Sequence, residues 1–272
     1  MNSPKITISF YLRVFAGLFL RDFRVLTREI GPFVLRVAMQ PLLFLYVFTN
    51  VLPRMGGGNP MMSSGGQNFG QVLLPGLMAV GILFTGIAAV ALQLSTEFGI
   101  TREIDDRVMC PIPLWAVALE KICFSAMQSI LAALLVIPMA YYVPATPVHA
   151  DLRNWPLLAL VMILSSLLAG AMGLAIGSFV PPKQIGLVFS IVLVPITFLG
   201  CVYYPWAGLA QIKALQYGVL INPIVYISEG LRAAITPGVP HMHTAVVLLA
   251  LTAFTALLGR LGLTGFIRRV IS

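Results

Sequence analysis

The sequence predicts an all-α membrane protein with six transmembrane helices, an N-terminal amphipathic interfacial helix and a re-entrant helical hairpin after the fifth span. The chain of 272 residues is 59% hydrophobic and only 10% charged, with a mean hydropathy of +0.95. These values lie far outside the range of soluble domains. The charges also leave six uncharged gaps of 17 to 42 residues. Because a helix needs about 20 apolar residues to cross a hydrocarbon core of about 30 Å, each gap can hold one span.

The six gaps place the predicted spans near residues 34–52, 72–95, 117–143, 157–180, 184–202 and 244–262. Helices are predicted rather than strands because no ten-residue segment alternates in hydrophobicity. With the N terminus in the cytoplasm, 13 of the 17 lysines and arginines fall on the cytoplasmic side. The positive-inside rule therefore predicts that both termini are cytoplasmic. The net charge of +8 is typical of contact with an anionic leaflet and does not indicate nucleic-acid binding.

The segment 5–30 is hydrophobic but has two different faces. At 100° per residue, one arc of about 80° contains four arginines, namely Arg13, Arg21, Arg24 and Arg28. The opposite arc is aromatic and aliphatic, which favours a helix lying along the inner leaflet. The alternative, a short first span, would bury these arginines in lipid at about 2.5–3.5 kcal/mol each. Gly31-Pro32 is predicted to end this helix.

The segment 203–235 is apolar but is interrupted by prolines and charges. A complete span here would place the basic C terminus outside, against the charge bias, so two half-helices dipping into the outer leaflet are predicted. Asn222 is a suitable N-cap, with Pro223 at the first helical position. Glu229 and Arg232 are spaced i,i+3 and can neutralise each other.

The segment 98–113, between spans two and three, concentrates charge in an otherwise apolar chain. Its charged residues are Arg102, Glu103, Asp105, Asp106 and Arg107. A short helix is predicted here, capped by Thr101 and stopped by prolines from Pro111 onward. Such a segment suits the docking of a soluble partner. The alternative, an ordinary solvated loop, stays open from the residues alone.

The residue inventory predicts that this chain is not an enzyme. No HExxH or GxSxG motif occurs, and no lysine follows a glycine, so the chain lacks a phosphate-binding P-loop. Three scattered cysteines and three histidines form no metal-binding pattern. The predicted spans contain a single carboxylate, Glu120 beside Lys121, which disfavours a carrier driven by protons or sodium.

Two motifs resemble the ABC-2 family of ABC-exporter permeases. In the first, Glu97 ends span two, the charged segment follows, and Lys121 opens span three after a proline turn. The second is similar to the family signature G-x-x-(F/Y)-P, NP-x-x-Y and LR. Its residues are Gly200, Tyr204, Pro205, Asn222, Pro223, Tyr226, Leu231 and Arg232. Ala210 stands where the family usually has a proline.

The resemblance implies a single permease domain over residues 1–272 that exports an amphipathic substrate (drug-like, lipid or glycolipid) across the cytoplasmic membrane. It implies two copies of a separate ATPase, which would carry ATP and Mg, and a second, identical permease chain. It also implies contact with membrane lipid and no cofactor on this chain. Residues 98–113, together with Glu97, would couple to the ATPase. The hairpin, including Glu229, would form an outer gate. Two alternatives remain, a lipid-linked polysaccharide exporter and a membrane anchor that transports nothing.

Overall fold

The computed structural model describes residues 8–51, 69–101, 113–144 and 151–271, and every regular element within these ranges is helical. The principal helices are α1 (Ile8–Arg28), α2 (Ile30–Tyr46), α3 (Phe69–Thr96), α4 (Leu114–Tyr142), α5 (Trp155–Phe179), α6 (Pro182–Phe198), α7 (Lys213–Ile221), α8 (Pro223–Ile235) and α9 (Thr244–Ile271). The prediction of an all-α membrane protein is confirmed.

Five helices among the described residues are long and apolar enough to cross a membrane. They are Ile30–Val51, Gly70–Gly99, Leu114–Tyr142, Trp155–Phe179 and Thr244–Ile271. Each overlaps one predicted span. The last helix continues well past the predicted end at residue 262, because helical hydrogen bonding continues after the side chains become basic. The chain is therefore a multi-pass membrane protein.

The fifth predicted span, 184–202, is shorter than the sequence indicated. Its helix α6 covers Pro182–Phe198 and contains a π-helical turn at Phe189–Leu193. At about 1.5 Å per residue, α6 reaches about 26 Å, slightly less than the hydrocarbon core. Apolar residues continue beyond it, but the backbone turns away at Cys201, whose φ is +52°. The predicted span was too long because hydropathy measures only the apolar character of these residues and does not report where the helix ends.

The segment after α6 forms a hairpin that stays at one end of the bundle. Helices α7 and α8 meet at a bend of 99°. Arg232 in α8 donates a hydrogen bond to the Cys201 carbonyl at 3.1 Å, so the chain returns to the level at which it left α6. The Ile235 carbonyl accepts from the Asp151 amide at 2.9 Å, next to the start of α5. These contacts are those expected of a re-entrant hairpin.

Helices α3 and α5 form the centre of the bundle. In each of them 67% of the most apolar stretch is buried, against 17% in the spans that contain α2 and α9. Small residues permit the close approach of α3 and α5. A Cβ placed on Gly173 would lie 2.9 Å from the Ile87 carbonyl oxygen, and one on Gly86 would lie 2.5 Å from the Ala169 Cβ. A larger residue at either position would push these two helices apart.

Helix α1 lies beside α4 and presents its arginines away from the bundle. Arg13, Arg21, Arg24 and Arg28 are all exposed. Phe19 contacts Phe124 of α4 edge-on, with ring centroids 5.8 Å apart. The break between α1 and α2 falls at Glu29, earlier than the predicted break at Gly31-Pro32. That prediction was wrong because a proline in the first turn of a helix has no amide partner to lose.

Candidate functional site

A buried ion pair fixes the hairpin to the rest of the bundle. Glu229 and Arg232 both have fully buried side chains and form a salt bridge. The Oε1 atom of Glu229 also accepts from the Trp206 amide at 2.9 Å, and its Oε2 atom accepts from the Met242 amide at 2.8 Å. Arg232 donates in turn to Cys201, as described above. One pair of charges therefore holds three separate stretches of backbone.

Burial of such a pair is tolerable because both oxygens of Glu229 and both terminal nitrogens of Arg232 have partners, while in the described structure the Arg232 Nε has none. Removing two charges from water costs several kcal/mol per ion, and good geometry with further hydrogen bonds is needed to offset that cost. The sequence predicted that Glu229 and Arg232 would neutralise each other, which is confirmed. It gave no sign that the carboxylate also receives two backbone amides, since neither Trp206 nor Met242 is close to Glu229 in sequence.

Asn222 is the N-cap of α8, as predicted. Its side-chain oxygen accepts from the Ile224 amide at 3.2 Å. Its side-chain nitrogen donates to the Ile196 carbonyl at 2.7 Å, so the cap also ties α8 to α6. Pro223 occupies the first turn of α8 and is buried.

The remaining signature residues close the hairpin around the end of α6. A Cβ on Gly200 would collide with the Ile224 side chain, so only glycine allows this approach. The Gly200 carbonyl accepts from the Ser228 hydroxyl at 2.9 Å. The Tyr204 hydroxyl donates to the Phe198 carbonyl at 3.1 Å, and that of Tyr226 donates to the Leu220 carbonyl at 2.9 Å. Pro205 precedes the short 3₁₀ helix Trp206–Gln211.

A second buried ion pair lies at the opposite end of α3. The Lys121 Nζ donates to the Glu97 Oε1 at 2.7 Å, and the two side chains are 0% and 4% exposed. This contact joins the turn that follows α3 to the first part of α4. Thr101 ends the π-helical turn Glu97–Thr101. The other predicted coupling residues, namely Arg102, Glu103, Asp105, Asp106, Arg107 and Pro111, lie outside the described residues.

Arg269, near the end of α9, was not predicted as a site residue. Its Nη1 atom donates to the Gly177 and Val180 carbonyls at 2.8 and 2.9 Å. A cation is favourable at these carbonyls because they end α5 and carry the negative end of its dipole. The same guanidinium lies 4.4 Å from the centre of the Phe98 ring. Since Phe98 follows Glu97, the charged segment begins at a point fixed to α4, α5 and α9 together.

The sequence profile described as ABC-2 type transporter matches residues 14–236, a stretch that includes both buried ion pairs. The chain belongs to this family. As an ABC-2 type protein it is a transport permease, the transmembrane component and not a catalytic one. It is similar to the inner membrane transport permease YadH of Escherichia coli (strain K12), with 26% identity over 200 residues, 70% of each chain. The YadH proteins of Escherichia coli O6:H1 and Shigella flexneri match to the same extent.

Proposed function

We propose that this protein is the permease subunit of an ABC exporter in the cytoplasmic (inner) membrane. A separate ATPase powers it, and it moves an amphipathic substrate outward. The observation that carries this proposal is the arrangement of the two ion pairs at opposite ends of α3. One pair fixes the origin of the charged segment, and the other fixes the hairpin. A permease needs both features, namely a segment that receives the movement of the ATPase and a gate at the opposite end of the bundle.

The charged segment 98–113 is the proposed point of ATPase coupling. A movement imposed on it reaches α3 and α4 through the Glu97–Lys121 pair. It also reaches α5 and α9 through Phe98 and Arg269. Since α3 and α5 are the most buried of the five long apolar helices among the described residues, a push on this short segment would be transmitted to the centre of the bundle. A solvated loop would need none of these contacts.

The hairpin is the proposed outer gate. It lies at the end of the bundle away from the charged segment, and its position depends on polar contacts to α6, α5 and the start of α3. Arg232 also approaches the Val72 carbonyl at 3.5 Å. A small rotation of α3 or α6 would therefore change the geometry at Arg232, which gives the gate a physical link to the moving helices.

The proposed transporter contains two identical permease chains and two ATPase subunits. The ATPase subunits bind ATP and Mg. The spans containing α2 and α9 have only 17% of their apolar stretches buried within the chain, which leaves wide surfaces for a second copy and for lipid. The proposed substrates are drug-like molecules, lipids or glycolipids, in keeping with the apolar spans.

We expect the triple replacement Glu103→Ala, Asp106→Ala and Arg107→Ala to weaken ATPase docking and not membrane insertion. Charged groups buried against a partner can cost about 2–5 kcal/mol in binding when one side is removed. Exposed loop charges usually change stability by less than about 0.5 kcal/mol. The measurement is ATPase retention on the purified permease, together with ATP-driven transport in liposomes.

The matched control for this replacement is the pair Asp151→Ala and Arg153→Ala, since both residues are exposed and lie at the hairpin end. This control should retain ATPase binding and transport. If the triple variant also behaves as wild type in both assays, segment 98–113 is an ordinary loop and the coupling proposal fails.

The proposed orientation, with both termini cytoplasmic, predicts a labelling pattern. In a background with Cys110, Cys123 and Cys201 replaced by serine, single cysteines at Asp151 and Pro240 should react with an impermeant thiol reagent in intact cells. A cysteine at Ile271, which is 73% exposed, should react only after permeabilisation. Labelling of position 271 from outside would place the C terminus outside and would reject the orientation.

A further inference from the structure

A cavity of about 480 Å³ lies between α1, α2, α3 and α4. It is near the end of the bundle that holds the Glu97–Lys121 pair, since its lining runs from Val80 to Gln93 on α3 and includes Phe124 and Gln128 of α4. Neither of the two buried ion pairs lines this space. Its volume falls within the range of about 300–1,000 Å³ that is typical of small-molecule sites.

The lining combines apolar walls with unused polar groups. Phe33, Phe84 and Phe124 supply aromatic surface. Gln40 and Gln93 also line the space, and within the described ranges no hydrogen bond involves either side chain. Both glutamines are half-buried, and a polar group withdrawn from water without a hydrogen-bond partner is unfavourable. Polar groups of this kind inside an apolar protein favour a ligand or water as their partner.

Asp22 gives the cavity its chemical preference. It is only 7% exposed, and in the described structure its Oδ2 atom has no hydrogen-bond partner. The nearest described cation is the Arg21 Nε at 3.9 Å from Oδ1, and the Arg21 side chain is 53% exposed. The other two charged lining residues, Glu29 and Arg36, are both exposed, so Asp22 is the only buried charged residue in the lining. The buried charge at this site is therefore negative.

We propose that this cavity binds an amphipathic organic cation taken from the inner leaflet. The cationic group would lie near the Asp22 carboxylate and against the aromatic walls, which attract cations through their ring faces. The glutamines would accept or donate hydrogen bonds to polar parts of the ligand, and the tail would lie along Val80 and Leu92. This inference rests on the proposed exporter function, because it identifies the substrate class and the site where the substrate enters.

The experiment uses the full chain in lipid nanodiscs and two probes of matched size and opposite charge, tetraphenylphosphonium and tetraphenylborate. Wild-type protein should bind the cation in preference to the anion. Asp22→Asn should weaken binding of the cation by about tenfold or more, as expected for loss of one charge-assisted contact, without weakening binding of the anion. Asp22→Glu should retain most of the cation affinity, which separates a charge effect from misfolding.

Two further variants test the location. Ala88 lines the cavity, and Ala88→Trp should abolish binding of the cation by filling the space. Ala256→Trp is the control, since Ala256 is exposed on α9, and it should bind as wild type. Asp151→Asn removes a carboxylate at the opposite end of the bundle and should also leave binding unchanged.

Equal affinity for both probes, or wild-type cation affinity in Asp22→Asn, would overturn the proposal. Efficient cross-linking of a Thr85→Cys variant to a second permease chain would also overturn it, because the space would then be filled by that copy. Binding is measured without ATP, so the two proposals fail separately. Intact cation binding without ATP-driven efflux would reject the exporter and leave the cavity assignment supported.

Discussion

Replacing Arg232 with methionine is expected to destabilise the protein by about 3–5 kcal/mol, because it leaves the Glu229 carboxylate buried without its cation. Both side chains are completely buried, so water cannot take the place of the guanidinium. The same change removes the hydrogen bond to the Cys201 carbonyl, which fixes the returning chain to the end of α6. The measurement is denaturant unfolding of the purified permease in detergent.

A double replacement separates the ion pair from simple loss of packing. Glu229→Gln combined with Arg232→Met removes both charges, so its cost should be smaller than that of Arg232→Met alone. It will not return to wild type, because a glutamine has one acceptor oxygen while the carboxylate of Glu229 receives amides on both of its oxygens. If the single and double replacements cost the same, the charge of Glu229 contributes nothing and this account of the hairpin is wrong.

The functional consequence of Arg232→Met should be confined to the hairpin end of the bundle. The Glu97–Lys121 pair lies at the other end of α3, so ATPase retention should stay near wild type while transport falls. Arg153→Met is the matched control, since it removes an exposed arginine at the hairpin end and should change stability by less than about 0.5 kcal/mol. Loss of ATPase retention in Arg232→Met would indicate global unfolding and would contradict a local role.

Much of the fold could be predicted from the spacing of charges alone. An uncharged gap and a membrane span are two aspects of the same constraint, because a charge inside lipid is costly and a span has a minimum length. Local signals were also reliable. The Asn222 cap and the Glu229–Arg232 pair involve residues within three positions of one another, and a helix alone fixes their relative placement.

Apart from the helix break at Gly31-Pro32, the errors and omissions concern contacts between residues far apart in sequence. The end of α6 depends on the approach of Gly200 to Ile224 and on the backbone at Cys201, and hydropathy does not report either feature. The sequence predicts no contact for Arg269 beyond its place in the basic C terminus, because only the packing of α9 against α5 brings it to the Gly177 carbonyl. No sequence signal distinguishes Asp22 from the arginines around it in α1, since its burial depends on where α1 lies against the other helices.

The Glu97–Lys121 pair is the contact through which the coupling proposal can be tested most severely. Glu97 and Lys121 were each noted in the sequence as members of a motif, but 24 positions separate them, and no periodicity predicts their contact. In the structure they form a buried pair that joins the residue before the charged segment to the first part of α4, the helix after it. A pair in that position controls how rigidly the segment is attached to the bundle.

Lys121→Met should therefore lower stability by about 3–5 kcal/mol and also disconnect ATP hydrolysis from transport. Methionine keeps the length and the apolar stem of lysine, so the defect arises from the lost charge and not from a cavity.

The charge-exchanged variant Glu97→Lys with Lys121→Glu should recover part of both properties. Lys183→Met, which removes an exposed lysine at the same end, should change neither. Transport and ATP hydrolysis are measured together in liposomes with the ATPase partner. The decisive quantity is substrate moved per ATP hydrolysed, because a rigid connection at Glu97 is required for that ratio and not for ATP hydrolysis itself. A Lys121→Met permease with the wild-type ratio would show that the movement reaches the spans by another route.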